Sequence, residues 1–359
     1  MKLTTLAYVM KEAQALLSID SPTGYTKTVT EYVMIALERL GYSPVRTVKG
    51  GVFVDLGGGD TSGTGAQPLT EADAASGAVL LEAHVDTLGG MVKEIKGNGR
   101  LRISPLGGLN PNNVEAEDCY IITRSGDYYD GTIQLANASI HVNTEYNDTK
   151  RTFDTLEVVI DQDVNSKEDV KKLGISVGDI VCPFPRTKIT SSGYIKSRFL
   201  DDKLSTAILL GLAYKIKLNE IVPKRRLYLH ITVFEEVGHG GSASIPADVT
   251  EIISVDMGCV GDGLECTERQ VSICAKDSRG PYHYEVVSAL IDAAKRADAD
   301  YAVDIYPAYG SDADTALISG HDIRHGLIGP GVYASHGYER SHVDGVENTL
   351  KVLEEYLLK

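Results

Sequence analysis

Residues 78–87, AVLLEAHVDT, give the clearest indication of the fold class. The apolar run at 78–83 is typical of a strand that is buried on both faces, as in the parallel sheets of α/β proteins. His84 and Asp86 follow at a spacing of two, so on an extended chain their side chains would face the same side. Such a pair suits a metal ligand with a supporting carboxylate, or equally a buried structural histidine. The stretch therefore predicts a buried strand that ends at a polar site.

Helical and strand patterns alternate on both sides of this strand. Before it, apolar spacing predicts helices at 3–18 and 26–40, a strand at 51–56 and a Gly- and Thr-rich surface loop at 57–77. After it, we predict helices at 202–218, 282–297, 312–319 and 344–358, with strands at 226–234, 252–256 and 302–306. This alternation predicts an α/β protein, a three-layer sandwich with a mixed, partly parallel sheet.

Residues 93–194 have a different pattern. Short runs of Val, Ile, Tyr and Thr alternate with Gly, Asn and Asp turns, and one short helix is predicted at 165–173. We therefore expect a small β-rich domain at 93–194, inserted into an α/β domain formed by residues 1–92 and 195–359.

Composition limits the class of protein. A chain of 359 residues can form a full catalytic core and a smaller domain. A net charge of −15 argues against nucleic acid and anionic membrane as partners, because both require basic surfaces. Five cysteines without CxxC spacing argue against a disulfide framework and a zinc ribbon. With no signal-peptide pattern and no membrane-length apolar run, these features predict a cytoplasmic protein.

Four more acidic or histidine motifs accompany His84 and Asp86, most of them where predicted strands end. They are Asp201-Asp202 before a helix, Glu235-Glu236 after a strand, Asp256 after a strand, and His336 in a glycine-containing loop. Taken singly, each has a structural alternative: a helix N-cap for the aspartates, an exposed strand end for the glutamates, a turn for Asp256 and a surface loop for His336.

The motifs are more informative as a set. Two histidines and three carboxylates form a nitrogen and oxygen ligand set that suits Zn²⁺, Co²⁺ or Mn²⁺ rather than thiolate-preferring metals. Adjacent carboxylates at the end of a buried strand are costly unless a cation or a proton compensates them. Glu235 and Glu236 can divide the roles of general base and metal ligand that metal-assisted amide hydrolysis requires.

At this point the chain resembles the co-catalytic metallo-aminopeptidases, which include the glutamyl and the tetrahedral (TET) aminopeptidases; some relatives carry the label endoglucanase M. Six stretches in the family's order carry the resemblance across nearly the whole chain. They are AHVDTLGGMVKEI at 83–95, LDDK at 200–203, VFEEVGHGG at 233–241, VDMG at 255–258, YGSDADTA at 309–316 and SHGYER at 335–340.

The resemblance implies two divalent ions per chain, with Zn²⁺ expected first and Co²⁺ or Mn²⁺ as alternatives. Asp201 would bridge them. His84 and Asp256 would complete one site, and Glu236 and His336 the other.

The resemblance also implies roles for neighbouring residues. Glu235 would be the general base for a water that bridges the metals, and Asp86 would orient the first ion's surroundings or Glu235. His342, six residues after His336, is a rival for the last ligand. His239 stands where relatives usually have an apolar residue, and we interpret it as a loop histidine without a metal role.

Further implications concern substrate and assembly. Residues 309–312 would lie beside the site, with Ser311 and Asp312 as substrate-binding candidates. The insert at 93–194 would be barrel-like and, as in relatives, would help to pack subunits and control substrate access. We therefore expect a homo-oligomer, with a large cage as the extreme case.

The implied function is removal of the N-terminal residue from short peptides that have a free N-terminus. One alternative is a related di-metal amidohydrolase, such as a deacylase or carboxypeptidase, which would accept a blocked N-terminus. A glycosidase is less favoured, because glycosidases seldom need histidine ligands and the chain has no Trp for a sugar cleft. A non-catalytic scaffold is disfavoured because the general base, Glu235, is present.

Overall fold

The protein is described by a computed structural model covering residues 3–59 and 77–358. Of the predicted loop at 57–77, residues 60–76 lie outside the described part. Seven α-helices are described: α1 (Thr5–Leu17), α2 (Lys27–Arg39), α3 (Lys167–Lys172), α4 (Leu200–Lys217), α5 (Tyr284–Arg296), α6 (Asp312–Ile318) and α7 (Val343–Leu357). Short 3₁₀ turns lie at Pro111–Asn113, Glu235–Val237 and Gly240–Ser242.

The described strands are numbered in chain order. They are β1 (Val45–Arg46), β2 (Val52–Gly57), β3 (Ala78–His84), β4 (Gly89–Ile95), β5 (Leu101–Leu106), β6 (Glu117–Ile122), β7 (Tyr128–Leu135), β8 (Leu156–Ile160), β9 (Ile180–Pro183), β10 (Lys188–Ile189), β11 (Tyr194–Ser197), β12 (Leu227–Thr232), β13 (Val249–Val255), β14 (Gly258–Val260), β15 (Val271–Lys276), β16 (Tyr301–Ile305), β17 (Arg324–Tyr333) and β18 (Glu339–His342).

A mixed sheet forms the centre of the α/β part. Its middle strands β12, β3, β13 and β17 are neighbours and run parallel. Strands β2, β15 and β18 flank them in the antiparallel direction. This arrangement confirms the predicted mixed, partly parallel sheet.

Helices cover both faces of this sheet. Val79 and Leu81 of β3 point into the large core that contains side chains of α1, α2, α4, α5 and α7. Ala78 and Leu80 point to the opposite face, where they pack with Ala313 of α6. Because successive side chains of a strand alternate between faces, a strand that is apolar throughout needs a layer on each side. The predicted three-layer sandwich is confirmed.

Helix α4 runs through the interior of this layer. Its sequence is apolar around most of its circumference, and residues from Leu200 to Ala213 are buried. A helix that is apolar all round belongs in a core rather than at a surface. Its first residues therefore reach the centre of the molecule, beside the end of β3.

The inserted part forms a closed barrel of six strands in the order β4-β5-β8-β7-β6-β9. Apolar side chains such as Ile103, Ile121, Ile133 and Val158 fill its core. The predicted short helix is present as α3, and Ser166 caps it by accepting the N–H of Asp169 at 3.2 Å. The barrel-like insert is confirmed.

Two expectations from composition can be compared with the described residues. All five cysteines are free, and four of them are buried, so none belongs to a disulfide framework. No helix in the described ranges has both the length and the apolar character that a membrane span requires.

Candidate active site

Three neighbouring parallel strands bring their polar ends together. Strand β3 ends at His84, β12 is followed by Glu235 and Glu236, and β13 is followed by Asp256. Thr232, the last residue of β12, pairs with His84, the last residue of β3. Glu235 therefore follows three residues after the position that is level with His84. Carboxyl ends of parallel strands share one edge of the sheet, which is where α/β proteins place their ligand sites.

Asp201 and His336 reach the same place from other elements. Asp201 lies at the start of α4, and its peptide bond with Asp202 is cis. His336 lies in the loop between β17 and β18. Glu339 holds both backbones, because its two carboxylate oxygens accept the N–H of His336 at 3.0 Å and the N–H of Asp201 at 3.1 Å. In the sequence, these contacts of Glu339 are indicated only by its position three residues after His336.

The predicted metal ligands converge on Asp201. One of its oxygens lies 3.1 Å from His84 Nε2, and the other lies 3.5 Å from His336 Nε2. His336 Nε2 also lies 3.6 Å from a Glu236 oxygen. Ligand atoms of His84, Asp201 and Glu236 all lie within 4.8 Å of one another. Asp256 belongs to a second such group, together with His84 and Asp202.

The carboxylates in this cluster differ in their electrostatics. Burial acts to raise the pKa of Asp201, but hydrogen bonds from His336 and His84 hold that pKa well below its usual value. Burial raises the pKa of Glu236 well above its usual value and the pKa of Asp256 to about 7. Several buried carboxylates so close together are unfavourable without compensating positive charge.

The carboxylate of Asp202 is buried beside the cluster and is only partly satisfied by hydrogen bonds, which the sequence alone did not predict. Its Oδ2 accepts the backbone N–H of His84 at 3.2 Å, whereas its buried Oδ1 has no hydrogen-bond partner among the described residues. Burial raises the pKa of Asp202 well above its usual value. An unsatisfied buried carboxylate oxygen requires a proton or a cation. The cluster, which offers only nitrogen and oxygen donors, therefore fits divalent cations.

Asp86 supports the neighbouring groups. One of its oxygens accepts the backbone N–H of Glu235 at 3.1 Å, and the other accepts the Thr23 hydroxyl at 2.7 Å. Its main-chain carbonyl lies 2.9 Å from His84 Nδ1, which leaves Nε2 of that ring facing the cluster. Asp86 thus positions Glu235 and His84 together, and Thr23 is a supporting residue that the sequence did not single out.

Glu235 lies at the edge of the cluster. Its carboxylate is 3.7 Å from His84 Nε2, and its side chain is 15% exposed. Burial raises the pKa of Glu235 well above its usual value, although His84 opposes this. The carboxylate therefore combines contact with the cluster and access to the cleft, as a proton acceptor for an incoming water requires.

The segment after Glu236 is held from outside the cluster. Lys49 Nζ donates to the carbonyl oxygen of His239, to that of Gly240 at 2.7 Å and to Ser242 Oγ at 3.1 Å. The His239 ring is exposed and stacks on Phe234 at 5.3 Å between centroids. Both His239 and His336 lie outside the two potential ligand groups described above. His336 nevertheless contacts Asp201 and Glu236, whereas no ion pair of His239 is found in residues 3–59 and 77–358.

Ser311 and Asp312 lie behind the wall of the cleft rather than in it. Asp312 accepts the Gly241 N–H at 2.7 Å and the Thr232 hydroxyl at 2.5 Å, and Ser311 Oγ lies 2.9 Å from the Tyr282 hydroxyl. Both side chains are buried. In this position they organise the loops around the site.

The rival histidine, His342, lies at the start of α7. Its Nδ1 accepts the Asp344 N–H at 3.0 Å, and its Nε2 lies 2.8 Å from the Ser192 carbonyl oxygen. Both ring nitrogens are therefore engaged in a helix cap and a loop contact.

The cluster opens into a cleft of about 320 Å³. The lining residues are Asp201, Glu235, Glu236, Gly238, Asp256, Ser278, Arg279, Ala308, Tyr309, Gly310 and His336. Tyr309 donates its hydroxyl to the Met257 carbonyl at 3.1 Å, which closes one wall. Tyr309 belongs to the motif that was expected beside the site, whereas Arg279 reaches the cleft from a turn where no local pattern marks a side chain as part of a site.

Comparison with known proteins identifies the family. Residues 69–352 match the model of the family described as M42 glutamyl aminopeptidase. The chain belongs to the M42 family. This membership confirms the resemblance seen in the six motifs, and it confirms that the chain is an enzyme of the peptide hydrolase class.

Individual relatives agree with this placement. The putative aminopeptidase YhfE of Bacillus subtilis is 44% identical over 355 residues, which cover 99% of both chains. An aminopeptidase from Desulfurococcus kamchatkensis has a similar fold, with a TM-score of 0.83 at 20% identity over 99% of this chain and 95% of that one. The Pyrococcus horikoshii TET1 peptidase is described as able to assemble into a tetrahedron or a large octahedral shell. Its TM-score with this chain is 0.81 at 18% identity, over 98% of this chain and 99% of that one.

Proposed function

We propose that this M42 chain is a metal-dependent aminopeptidase that removes the N-terminal residue from short peptides with a free N-terminus. The observation that carries the proposal is the convergence on Asp201 of two histidines and further carboxylates, with Glu235 beside them at an open cleft. The family and its relatives supply the reaction class.

We assign two divalent ions to this cluster. Asp201 presents one oxygen to His84 and the other to His336, which supports a bridging role. We place His84 and Asp256 on one side of it, and Glu236 and His336 on the other. We prefer His336 to His342 as the last metal ligand. His336 lines the cleft, whereas both ring nitrogens of His342 already have partners. Zn²⁺ is the expected metal, with Co²⁺ or Mn²⁺ as alternatives.

The protein's own groups then divide the work of hydrolysis. When bound, a pair of divalent ions would favour ionisation of a water near pH ~7 and polarise the scissile carbonyl. Glu235 takes the proton of the attacking water at its carboxylate and delivers it to the leaving amine. Asp86 keeps the backbone of Glu235 and the ring of His84 in place. The requirement for a free N-terminus is supported by the family and by the relative named as a putative aminopeptidase.

We further propose how the parts cooperate. Residues 1–92 and 195–359 would form the catalytic domain, with Ser311 and Asp312 supporting substrate binding from behind the cleft wall. The insert at 93–194 would contribute to oligomerisation and substrate access. The assembly described for TET1 supports a homo-oligomer, and a large cage as its extreme form. Light scattering of the purified protein measures the oligomeric state directly. We also propose that the enzyme acts in the cytoplasm.

Metal content and turnover test the proposal together. We expect two metals per chain after gentle purification, and hydrolysis of aminoacyl-p-nitroanilides that chelation abolishes and added Zn²⁺ or Co²⁺ restores. Glu235→Gln should lower kcat by about 10²- to 10⁴-fold and still bind metal, because only the proton transfer is lost. Glu347→Gln, at an exposed residue of α7 paired with Lys351, is the matched control and should behave like the parent.

Two outcomes would contradict this function. Glu235→Gln with the parent's rate would remove the proposed base. Cleavage of N-acetylated peptides as fast as free ones would indicate instead a deacylase or carboxypeptidase-like amidohydrolase.

A further inference from the structure

His336 is a proposed metal ligand that lies outside the described helices and strands. It belongs to the loop between β17 and β18, and its φ of +60° is in the left-handed region, as is the φ of Ala334 at +58°. Residues with a Cβ seldom adopt this conformation, so contacts from other parts of the chain must stabilise the loop. His84 and Asp256, by contrast, are positioned by two neighbouring strands of the parallel sheet. The contacts that hold His336 therefore bear on one of the two proposed metal sites.

The loop between β5 and β6 of the barrel packs against the His336 ring. A Cβ added to Gly108 would lie 2.6 Å from Nδ1 and 2.8 Å from Cε1 of His336. Nε2, on the other side of the ring, lies 3.5 Å from a carboxylate oxygen of Asp201 and 3.6 Å from one of Glu236. The ring is thus confined between the barrel loop and the carboxylates, and glycine at position 108 makes room for it.

The same loop contacts the other residue that we assign to this ion. A Cβ added to Gly107 would lie 3.1 Å from Glu236 Cβ and 3.2 Å from the Glu236 carbonyl oxygen. Gly107 has a φ of +67°, which glycine adopts without a steric penalty. Two consecutive glycines therefore bring the barrel backbone against both Glu236 and His336.

Two side chains hold the backbone of the His336 loop. Asn113, at the end of the same barrel loop, donates its Nδ2–H to the His336 carbonyl oxygen at 3.1 Å. Arg198 donates to the Gly337 carbonyl oxygen at 3.3 Å and to the Asn113 carbonyl oxygen at 2.6 Å. It also forms an ion pair with Glu117 of β6 at 3.1 Å, and its side chain is 4% exposed. Arg198 is therefore a buried link between the barrel and the His336 loop.

We propose that Gly108, Asn113 and Arg198 are positioning residues that hold His336 for one of the two metal ions, which makes the barrel part of that metal site. This role rests on the proposed metal-dependent function and adds to it a task for the barrel within its own chain. The other ion has its ligands His84 and Asp256 on the sheet. Loss of a barrel contact should therefore weaken the binding of one ion and leave that of the other unchanged.

Cobalt titration of the whole chain, stripped of metal by chelation, tests this role. Calorimetry and the visible absorption of bound Co²⁺ give the number of sites and the affinity of each, independently of turnover. Gly108→Ala places a Cβ against the ring, and Asn113→Ala removes one hydrogen bond. The matched controls lie in other loops of the barrel. They are Gly97→Ala, at a position with open space, and Asn143→Ala, whose amide donates to the Asn137 carbonyl oxygen at 3.0 Å.

We expect Gly108→Ala and Asn113→Ala each to weaken the binding of one Co²⁺ by about 10- to 100-fold, which is the usual effect of losing a group that orients a metal ligand. The affinity for the other Co²⁺ should change by less than about threefold, and both controls should match the parent.

Combined variants identify which ion is affected. Asn113→Ala should have little further effect when it is combined with His336→Ala, because the affected site has already lost its ligand. It should keep its full effect when it is combined with His84→Ala. A general loss of structure would lower both affinities in every background.

Two results would overturn the positioning role, and they differ in what else they affect. If Asn113→Ala weakens both ions equally, or neither, the barrel loop does not position His336, while the metal-dependent function stands. Asn113→Ala adds no bulk, so it decides the outcome even if Gly108→Ala does not fold. If the parent itself binds no pair of divalent ions, the proposed metal-dependent function fails and the positioning role fails with it.

Discussion

His325, at the start of β17, is held in the fold as a neutral ring. Its Nε2 lies 3.7 Å from Asp314, its ring centroid lies 4.9 Å from that of Tyr282, and its side chain is 12% exposed. Burial lowers the pKa of His325 to about 4, with a further lowering from His283 and an opposing effect from Asp277. The folded protein therefore resists protonation of a group that protonates readily in the unfolded chain.

The magnitude follows from the two pKa values. The ordinary pKa of 6.5 and the folded value of about 4 differ by about 2.5, which corresponds to about 3 kcal/mol at about 1.36 kcal/mol per pKa unit. Solvent screening of a partly exposed ring reduces this to about 1–2 kcal/mol. Between these pKa values the unfolded chain binds more protons, so stability rises with pH. This contribution is fully present above pH 6.5 and is lost as the pH falls towards 4.

Urea denaturation of the parent and of His325→Gln, at about pH 7.5 and about pH 4.5, measures the effect. When the pH is lowered, the free energy of unfolding of the parent should fall by about 1–2 kcal/mol more than that of His325→Gln, because the variant lacks the titrating ring. Protonation of the metal cluster affects both proteins and cancels in this difference. His141→Gln, at an exposed histidine, should match the parent. Equal losses of unfolding free energy for the parent and His325→Gln would show that the His325 ring is not held neutral by the fold.

Two further substitutions test packing and positioning. A Cβ at Gly329 would lie 1.7 Å from the Asp256 carbonyl oxygen, so Gly329→Ala should lower the unfolding free energy by about 3 kcal/mol. Gly97→Ala, at a position with open space, is the control and should change the unfolding free energy by less than about 0.5 kcal/mol. Similar urea midpoints for the two variants would contradict the expected crowding at Gly329. Lys49→Met should lower kcat/KM about tenfold by releasing the segment after Glu236. Lys93→Met, at an exposed pair, is its control, and equal kinetics would disprove the positioning role.

Strand β17 shows why sequence patterns missed part of the sheet. Residues 324–333 contain three glycines and Pro330, which are turn and breaker signals, and no strand was predicted there. In the fold these glycines are sites of close approach: a Cβ at Gly331 would lie 2.1 Å from the Thr267 carbonyl oxygen, and Gly329 is crowded still more closely. A glycine in a strand can mark a tightly packed neighbour rather than a turn, and only the neighbour distinguishes the two.

Elements with local signals were predictable from the amino-acid sequence alone. The apolar run before His84 predicted a strand buried on both faces, and alternating patterns predicted the layered fold and the β-rich insert. The ordered motifs around His84, Asp201, Glu235, Asp256 and His336 predicted the family. These inferences succeed because periodicity and motif spacing are encoded over a few residues.

Which of these groups contact one another depends on the three-dimensional fold. The parallel register that pairs Thr232 with His84 places two distant strand ends side by side, and Glu339 links the backbones of Asp201 and His336. Arg279 enters the cleft from a turn with no motif of its own. Contacts between residues more than a hundred positions apart depend on strand register and loop geometry, which no short stretch of sequence specifies.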